Sequence, residues 1–321
     1  MAKLTNMKIS FVAIFISIAV IMLIIGVRLA PFAILPNFRL SIIGLPIKIT
    51  GFIFGPVVGF LTGLLADLLT FLFIPGVYSW YYTIYLSLTG FIPGLFFWFF
   101  IKKGEKWFAK DALISRLNQK IFNQKVKIYN YTFYAISANI RDEKQEKNLK
   151  KRLFFLQKKV TKIKNWPEEK ALLNFYWIAS NLILIAVVTT VISIVMFNSS
   201  IDFSQSKFIS SKLSFVIFVM SGTVTMIFFL VFARFIKFFR KFGRYLTIAP
   251  IVAFSALHEP LSSVIAASGD VQSGALNNFE TALLTHIITS PVKIWINLSV
   301  VYFATRAILP LVQKRFSYSV T

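Results

Sequence analysis

Hydrophobic residues in this chain come in runs as long as a lipid bilayer is thick, and that fixes the solvent before anything else. Apolar stretches cover 9–30, 43–54, 56–74, 81–101, 176–197, 213–236, 246–267 and 283–309, each bounded by charge, Pro, Gly or Asn. About 20 apolar residues in a helix cross the ~30 Å hydrocarbon core. Most of these runs suffice; 43–54 does not, and it reads as a partial or tilted span extended by protein-buried loop. Gly55-Pro56 marks the turn into the third run, because Pro is favourable at a helix start. Composition agrees, with 57% hydrophobic and 15% charged residues and a mean hydropathy of +0.72. A soluble chain this apolar would lack the polar surface to cover itself. The first run, Ile9 to Leu29, is long enough to span, so no cleavable signal peptide is expected.

The net charge of +23 would suit a nucleic-acid partner, but cytoplasmic membrane loops are also basic. Placement decides between the two. With the amino terminus inside, segments 1–8, 102–175, 234–245 and 310–321 carry 28 Lys and Arg, whereas 31–42, 75–80, 198–212 and 268–282 carry three: Arg39, Lys207 and Lys212. The expected protein is therefore an all-α, multi-pass integral membrane protein with about eight spans and both termini cytoplasmic. Its parts would be membrane helices over 1–101, a basic cytoplasmic insertion over 102–175, a transmembrane pair over 176–245, and the last helices and tail over 246–321. Lys102 to Lys170 holds 19 basic and seven acidic residues. That run is either a partner-binding module or a solvated insertion drawn to the anionic inner leaflet. No zinc spacing, Gly-rich phosphate loop or nucleic-acid motif favours the first. Tyr129, Tyr131, Phe133 and Tyr134 interleave with other residues as a short strand would.

No enzyme signature is present. The chain has no cysteine; His258 and His286 lack a second ligand at metal-binding spacing, and no nucleophile elbow, dinucleotide fingerprint or Walker A sequence occurs. Neither a metal nor another cofactor is expected. Without a Walker A sequence, active transport would need a separate ATPase. What remains are ionisable groups at membrane depth, which are costly and so candidates for function: Lys48, Asp67, His258, Glu259 and Lys293. Lys48 and Asp67 fall at matching depths and could pair, either locking neighbouring helices or serving a ligand. Lys293 and Asn297 share one helix face, and a Glu259–Lys293 contact would satisfy two buried charges. Pro260 and Pro291 would free backbone groups nearby. Tyr78, Trp80, Tyr81, Tyr82 and Tyr85 cluster at the outer start of the fourth run, as an interfacial belt, a stacking platform, or both.

The stretch Ile49-Thr50-Gly51-Phe52-Ile53-Phe54-Gly55-Pro56-Val57-Val58-Gly59-Phe60-Leu61-Thr62-Gly63-Leu64-Leu65-Ala66-Asp67 resembles the Gly-Pro run of the substrate-binding S components of energy-coupling factor (ECF) vitamin transporters, the folate-type group above all. Leu45-Pro46-Ile47, Gly76-x-Tyr78, Thr83, Gly90-Phe91-Ile92-Pro93-Gly94 and Pro291-Val292-Lys293-Ile294 fit the same pattern. The likeness covers 1–101 well and 246–312 fairly. It implies a six-helix core, into which this chain inserts 176–197, 213–236 and the basic loop. It also implies an outward pocket for a water-soluble vitamin, closed by the loop at about 30–44, with Arg39, Tyr81, Tyr82, Tyr85, Glu259, His286, Lys293 and Asn297 as candidate substrate-binding residues. Where folate-type members carry an Arg near the start of the last helix, this chain has Thr281 and Ala282, with His286 the nearest cationic candidate. Ala13 and Ser17 on the first helix have the small-residue spacing suited to docking a membrane coupling subunit, and two cytosolic ATPase subunits would supply energy. The expectation is a folate-like substrate in the cell membrane, with riboflavin or another flat vitamin as the alternative. A scaffold presenting the basic loop to a cytosolic partner is the competing class.

Overall fold

The structure is a computed structural model that describes residues 6–28, 44–73, 78–137, 143–197, 211–240 and 243–317. Among the described residues the long elements are α1 (Asn6–Arg28), α2 (Leu45–Phe54), α3 (Pro56–Phe73), α4 (Trp80–Phe97), α5 (Lys110–Ser137), α6 (Glu143–Lys164), α7 (Glu168–Phe197), α8 (Lys212–Phe235), α9 (Arg244–Gln272), α10 (Phe279–Ile288) and α11 (Ser290–Ser317), and no strand is found. A π-helical stretch, Trp98–Gly104, continues α4. Among the described residues, six helices are long and apolar enough to cross a membrane: Pro56–Phe73, Trp80–Phe108, Glu169–Phe197, Lys212–Phe235, Arg244–Gln272 and Ser290–Pro310. The apolar part of α1 (Ile9–Ile25), α2 and α10 are shorter. Leu72, Phe73, Ile194, Phe197, Phe232 and Phe303 are widely exposed on these helices, as lipid-facing side chains should be.

The chain divides into two compact units, one comprising Met1–Ile101 with Trp177–Thr321 and the other Lys102–Tyr176. In the first, the Gly-Pro run makes a tight seam. Gly55 adopts φ 102°, a conformation that glycine alone enters readily, and it separates α2 from α3. Gly51 and Gly59 both lie against Gly90, Gly63 lies against Leu86 and Ser87, and Gly94 lies against Pro56. A Cβ at Gly51, Gly59 or Gly90 would overlap the facing backbone. The pairing of 59 with 90 and 63 with 86 sets α3 antiparallel to α4, with α2 folded back along both. With 10 residues, α2 is about 15 Å long, half a bilayer core. Residues 45–53 of α2 are all buried, so its apolar length serves protein contacts rather than lipid. Ala19, Val20 and Leu23 of α1 join Ile47, Ala66, Tyr85, Leu86 and Ala266 in one core cluster.

Helix α9 is the most enclosed of the six candidate spans: it packs against α4, α8, α10 and α11, and its Ile251, Val252, Ala253 and Phe254 are fully buried. Helices α7 and α8 flank it: Ser180 Oγ donates to the Ala249 carbonyl at 3.2 Å, and the Arg234 guanidinium lies 4.5 Å from the Trp177 ring centroid. Phe215, Val216, Val219 and Met220 of α8 pack with Val195, Leu284 and Ile287.

Two of the differences from the sequence reading bear on the site. The run expected to end at 267 continues to Gln272, because Gly269 is a packing glycine: a Cβ there would fall 2.8 Å from the Tyr82 ring. The last span, read as one run over 283–309, breaks at Thr289 into α10 and α11. Pro291 stands at the start of α11, its backbone against Gly222 of α8.

The second unit is an antiparallel helical hairpin of α5 and α6. Its core is small: Leu117, Val160 and Ile163, with Ile114, Ile121, Leu156 and Trp166 around them. Gln124 Nε2 donates to the Leu149 carbonyl at 3.1 Å and fixes the register. The strand expected over Tyr129–Tyr134 is helix instead. Its interleaved aromatics sit on a continuous helical segment whose neighbours, Ile128 and Thr132, already bond at the helical spacing.

Candidate functional site

Lipid offers a buried charge no hydrogen bond, so every ionised group inside the bundle must find a protein partner. Helices α2, α9 and α11 answer this jointly. Lys48 is 1% exposed, and its Nζ donates to Asn297 Oδ1 at 3.0 Å. Asn297 Nδ2 donates to Glu259 Oε1 at 2.9 Å, and Lys48 Nζ lies 3.9 Å from the same carboxylate oxygen. Asn297 is thus a bridge whose amide orientation is dictated by a cation on one side and an anion on the other.

His258 extends this layer toward α4. Thr89 Oγ1 donates to the Tyr85 carbonyl at 2.7 Å, which leaves its oxygen to accept from His258 Nε2 at 3.1 Å. The proton therefore sits on Nε2, and Nδ1 is left as an acceptor. That Nδ1 is buried with no hydrogen-bond partner among the described residues. The His258 ring meets Tyr85 edge-on, centroids 6.2 Å apart.

A second polar layer lies 11 residues along α9, about 16 Å away. Asp270 Oδ2 accepts from His286 Nε2 at 2.7 Å and Oδ1 accepts from Tyr82 Oη at 2.6 Å. Ser79 Oγ donates to Gln272 Oε1 at 2.6 Å beside it. Lys293 stands between the layers, its Nζ donating to the His286 carbonyl at 3.4 Å. The two layers together place two ammonium groups and two carboxylates in one buried column. Such a column can hold a polar ligand by exchanging internal hydrogen bonds for ligand ones, at less cost than exposing fresh charge to lipid.

Of the sequence candidates, Tyr82, Tyr85, Glu259, His286, Lys293 and Asn297 fall within this column. Tyr81 instead stacks on Trp80, centroids 3.8 Å apart, beside the column rather than in it. Arg39 and most of the loop at 30–44 lie outside the described residues. The proposed Lys48–Asp67 pair is not formed. Asp67 accepts from Thr83 Oγ1 at 2.5 Å across the α3–α4 contact, while Lys48 turns to α9 and α11. Matching depth along two helices says nothing about the direction in which each side chain leaves its axis. Glu259 likewise makes its ion pair with Lys48, while Lys293 Nζ donates to the His286 carbonyl. Ala13 and Ser17 are exposed on one face of α1, where Ser17 Oγ donates to the Ala13 carbonyl at 3.0 Å.

Asp270 and Thr89 are the residues that sequence reasoning missed. Asp270 fell in the outer segment 268–282, beyond the run expected to end at 267, and Thr89 looks like any small polar residue in an apolar run. No group of three or more potential metal ligands occurs among the described residues.

These helices and their buried charges define the class: a multi-pass membrane protein with a polar column inside an apolar bundle. Residues 2–121 match the family model described as 5TMR of 5TMR-LYT, a multi-span membrane domain. That match takes in α1 to α4 and the beginning of α5. No curated protein and no solved structure matches the chain.

Proposed function

We propose that this protein is the substrate-capturing subunit of an ECF-type importer in the cell membrane, both termini cytoplasmic, and that it binds a water-soluble, folate-like vitamin in an outward-facing pocket. The observation that carries this reading is the buried column: the Lys48–Asn297–Glu259 chain, and His258 Nδ1, buried with no hydrogen-bond partner among the described residues. A flat heterocycle carrying amide and carboxylate groups offers donors for Nδ1 and Glu259, and acceptors for Lys293. Tyr85 and Tyr82 supply aromatic surface for its ring. The Gly-Pro seam supports the same reading through its resemblance to S components, and so does the lack of a Walker A sequence, since energy would then come from separate ATPase subunits. Ala13 and Ser17 stand exposed where a coupling subunit would dock. The ligand must favour one orientation of the subunit over the other, because equal affinity for both would drive nothing.

The test is purification in mild detergent followed by mass spectrometry of any small molecule that copurifies, and calorimetry with folates and riboflavin. Recovery of a folate with tight binding, weakened at least about tenfold in Asn297→Ala, is the expected result. No copurifying ligand together with no vitamin affinity overturns the reading. Deleting 104–170 separates it from the scaffold class, since vitamin binding and uptake should persist without the hairpin.

A further inference from the structure

The hairpin of α5 and α6 uses only one side of α5. Ile114, Leu117, Ile121 and Gln124 face α6, and a second side, about 120° round the helix, carries Phe122, Val126, Tyr129, Phe133 and Ile136. Their spacing of four, three, four and three residues lines them up along one face of a continuous helix. All five are exposed, Tyr129 by 71% and Phe133 by 64%. A small soluble hairpin gains nothing by presenting five large apolar side chains to water, so this stripe reads as a contact surface.

The charge around it says what it contacts. Lys125 and Lys127 leave α5 on the two sides of the stripe, about 100° either way from Val126, and Arg116 and Lys120 follow the Lys127 side. Asp111 is the acidic residue of α5, against Lys110, Arg116, Lys120, Lys125 and Lys127. Pairing of this face with a second copy of itself would bring lysine rows together, and a basic partner would be repelled likewise. An apolar, aromatic-rich face bordered by lysines is the pattern of a helix lying in the boundary between acyl chains and anionic headgroups. The hairpin is also tied by covalent chain at both ends to membrane-spanning segments, which holds it at high local concentration near a bilayer.

We infer that the outer face of α5 is an interfacial membrane anchor, seated on anionic phospholipid through Phe122, Val126, Tyr129, Phe133 and Ile136 with Lys125 and Lys127 at its borders. This goes beyond vitamin capture and does not depend on it. The absence of native cysteine makes the test direct. The full chain carrying Phe133→Cys, labelled with an environment-sensitive dye, is reconstituted in nanodiscs of phosphatidylcholine with or without phosphatidylglycerol. Phe155→Cys on α6, exposed and by helical spacing on the other face of the hairpin, serves as the control. Expected is a blue shift and quenching by brominated lipid at position 133 in the anionic discs, little at 155, and loss of most of the shift in high salt or in Lys125→Glu/Lys127→Glu. Both substituted lysines are exposed, so the hairpin should fold unchanged, which helix content by circular dichroism verifies. The inference is overturned by a label at 133 that stays in water in both lipids. It is equally overturned by a shift that is the same in neutral discs, that grows with protein concentration, or that requires added RNA.

Discussion

The bundle and the hairpin bury their helices in opposite ways. In the α2–α3–α4 seam the contact is backbone on backbone: Gly51, Gly59 and Gly90 leave no side chain between the helices. In the α5–α6 hairpin the contact is side chain on side chain, a thin ridge built on Leu117, Val160 and Ile163. The difference follows from the solvent. In water, apolar side chains drive helices together and must be large enough to bury useful area. In lipid there is no such drive, and close approach of small residues supplies the van der Waals contact instead. The seam should therefore fail when atoms are added, and the hairpin when atoms are removed.

That contrast can be broken or sharpened by four substitutions. Glu259→Ala should be the most damaging, because it leaves Lys48 buried without its anion; the expected loss is about 3–5 kcal/mol, read as thermal aggregation in detergent at a much lower temperature. Gly90→Val should follow, at about 3 kcal/mol, since the added atoms meet main chain that cannot rotate away. A Gly90→Val protein of unchanged melting temperature would show that the seam is looser than described. Leu117→Ala should cost about 2–3 kcal/mol, but only within the hairpin. Hydrogen exchange should accelerate over 110–164 and stay the same in α3 and α4. Lys150→Ala removes an exposed i,i+4 partner of Glu146 that sits at 2.6 Å, and should change stability by no more than about 0.5 kcal/mol, less in high salt.

The helices were legible in the sequence because lipid imposes a length and a hydropathy on each crossing, and Gly55-Pro56 announced its own break. The polar column was half legible. Charged residues at membrane depth stand out as expensive, so Lys48, Glu259 and Lys293 drew notice, and Asn297 through its place on the face of Lys293. Their partnering was not legible, because a run of apolar residues gives depth but not azimuth. Hence Lys48 was set against Asp67 rather than Glu259. The run expected to end at 267 fell short for a related reason: nothing in one dimension shows that Gly269 admits a neighbouring tyrosine and lets the helix continue. The helical state of Tyr129–Tyr134 was hidden by a local alternation of polar and apolar residues that the longer heptad-like spacing overrides.

The Gly90 contacts also constrain how the bundle can move. With main chain pressed on main chain and no compliant side chains between, α2, α3 and α4 can shift only as a single rigid wedge, and Lys48 travels with it. Any rearrangement that opens the column must then be taken up on its other wall. There α9 and α11 hold Glu259 and Asn297, and the interruption at Thr289 gives the last crossing a joint about which to swing.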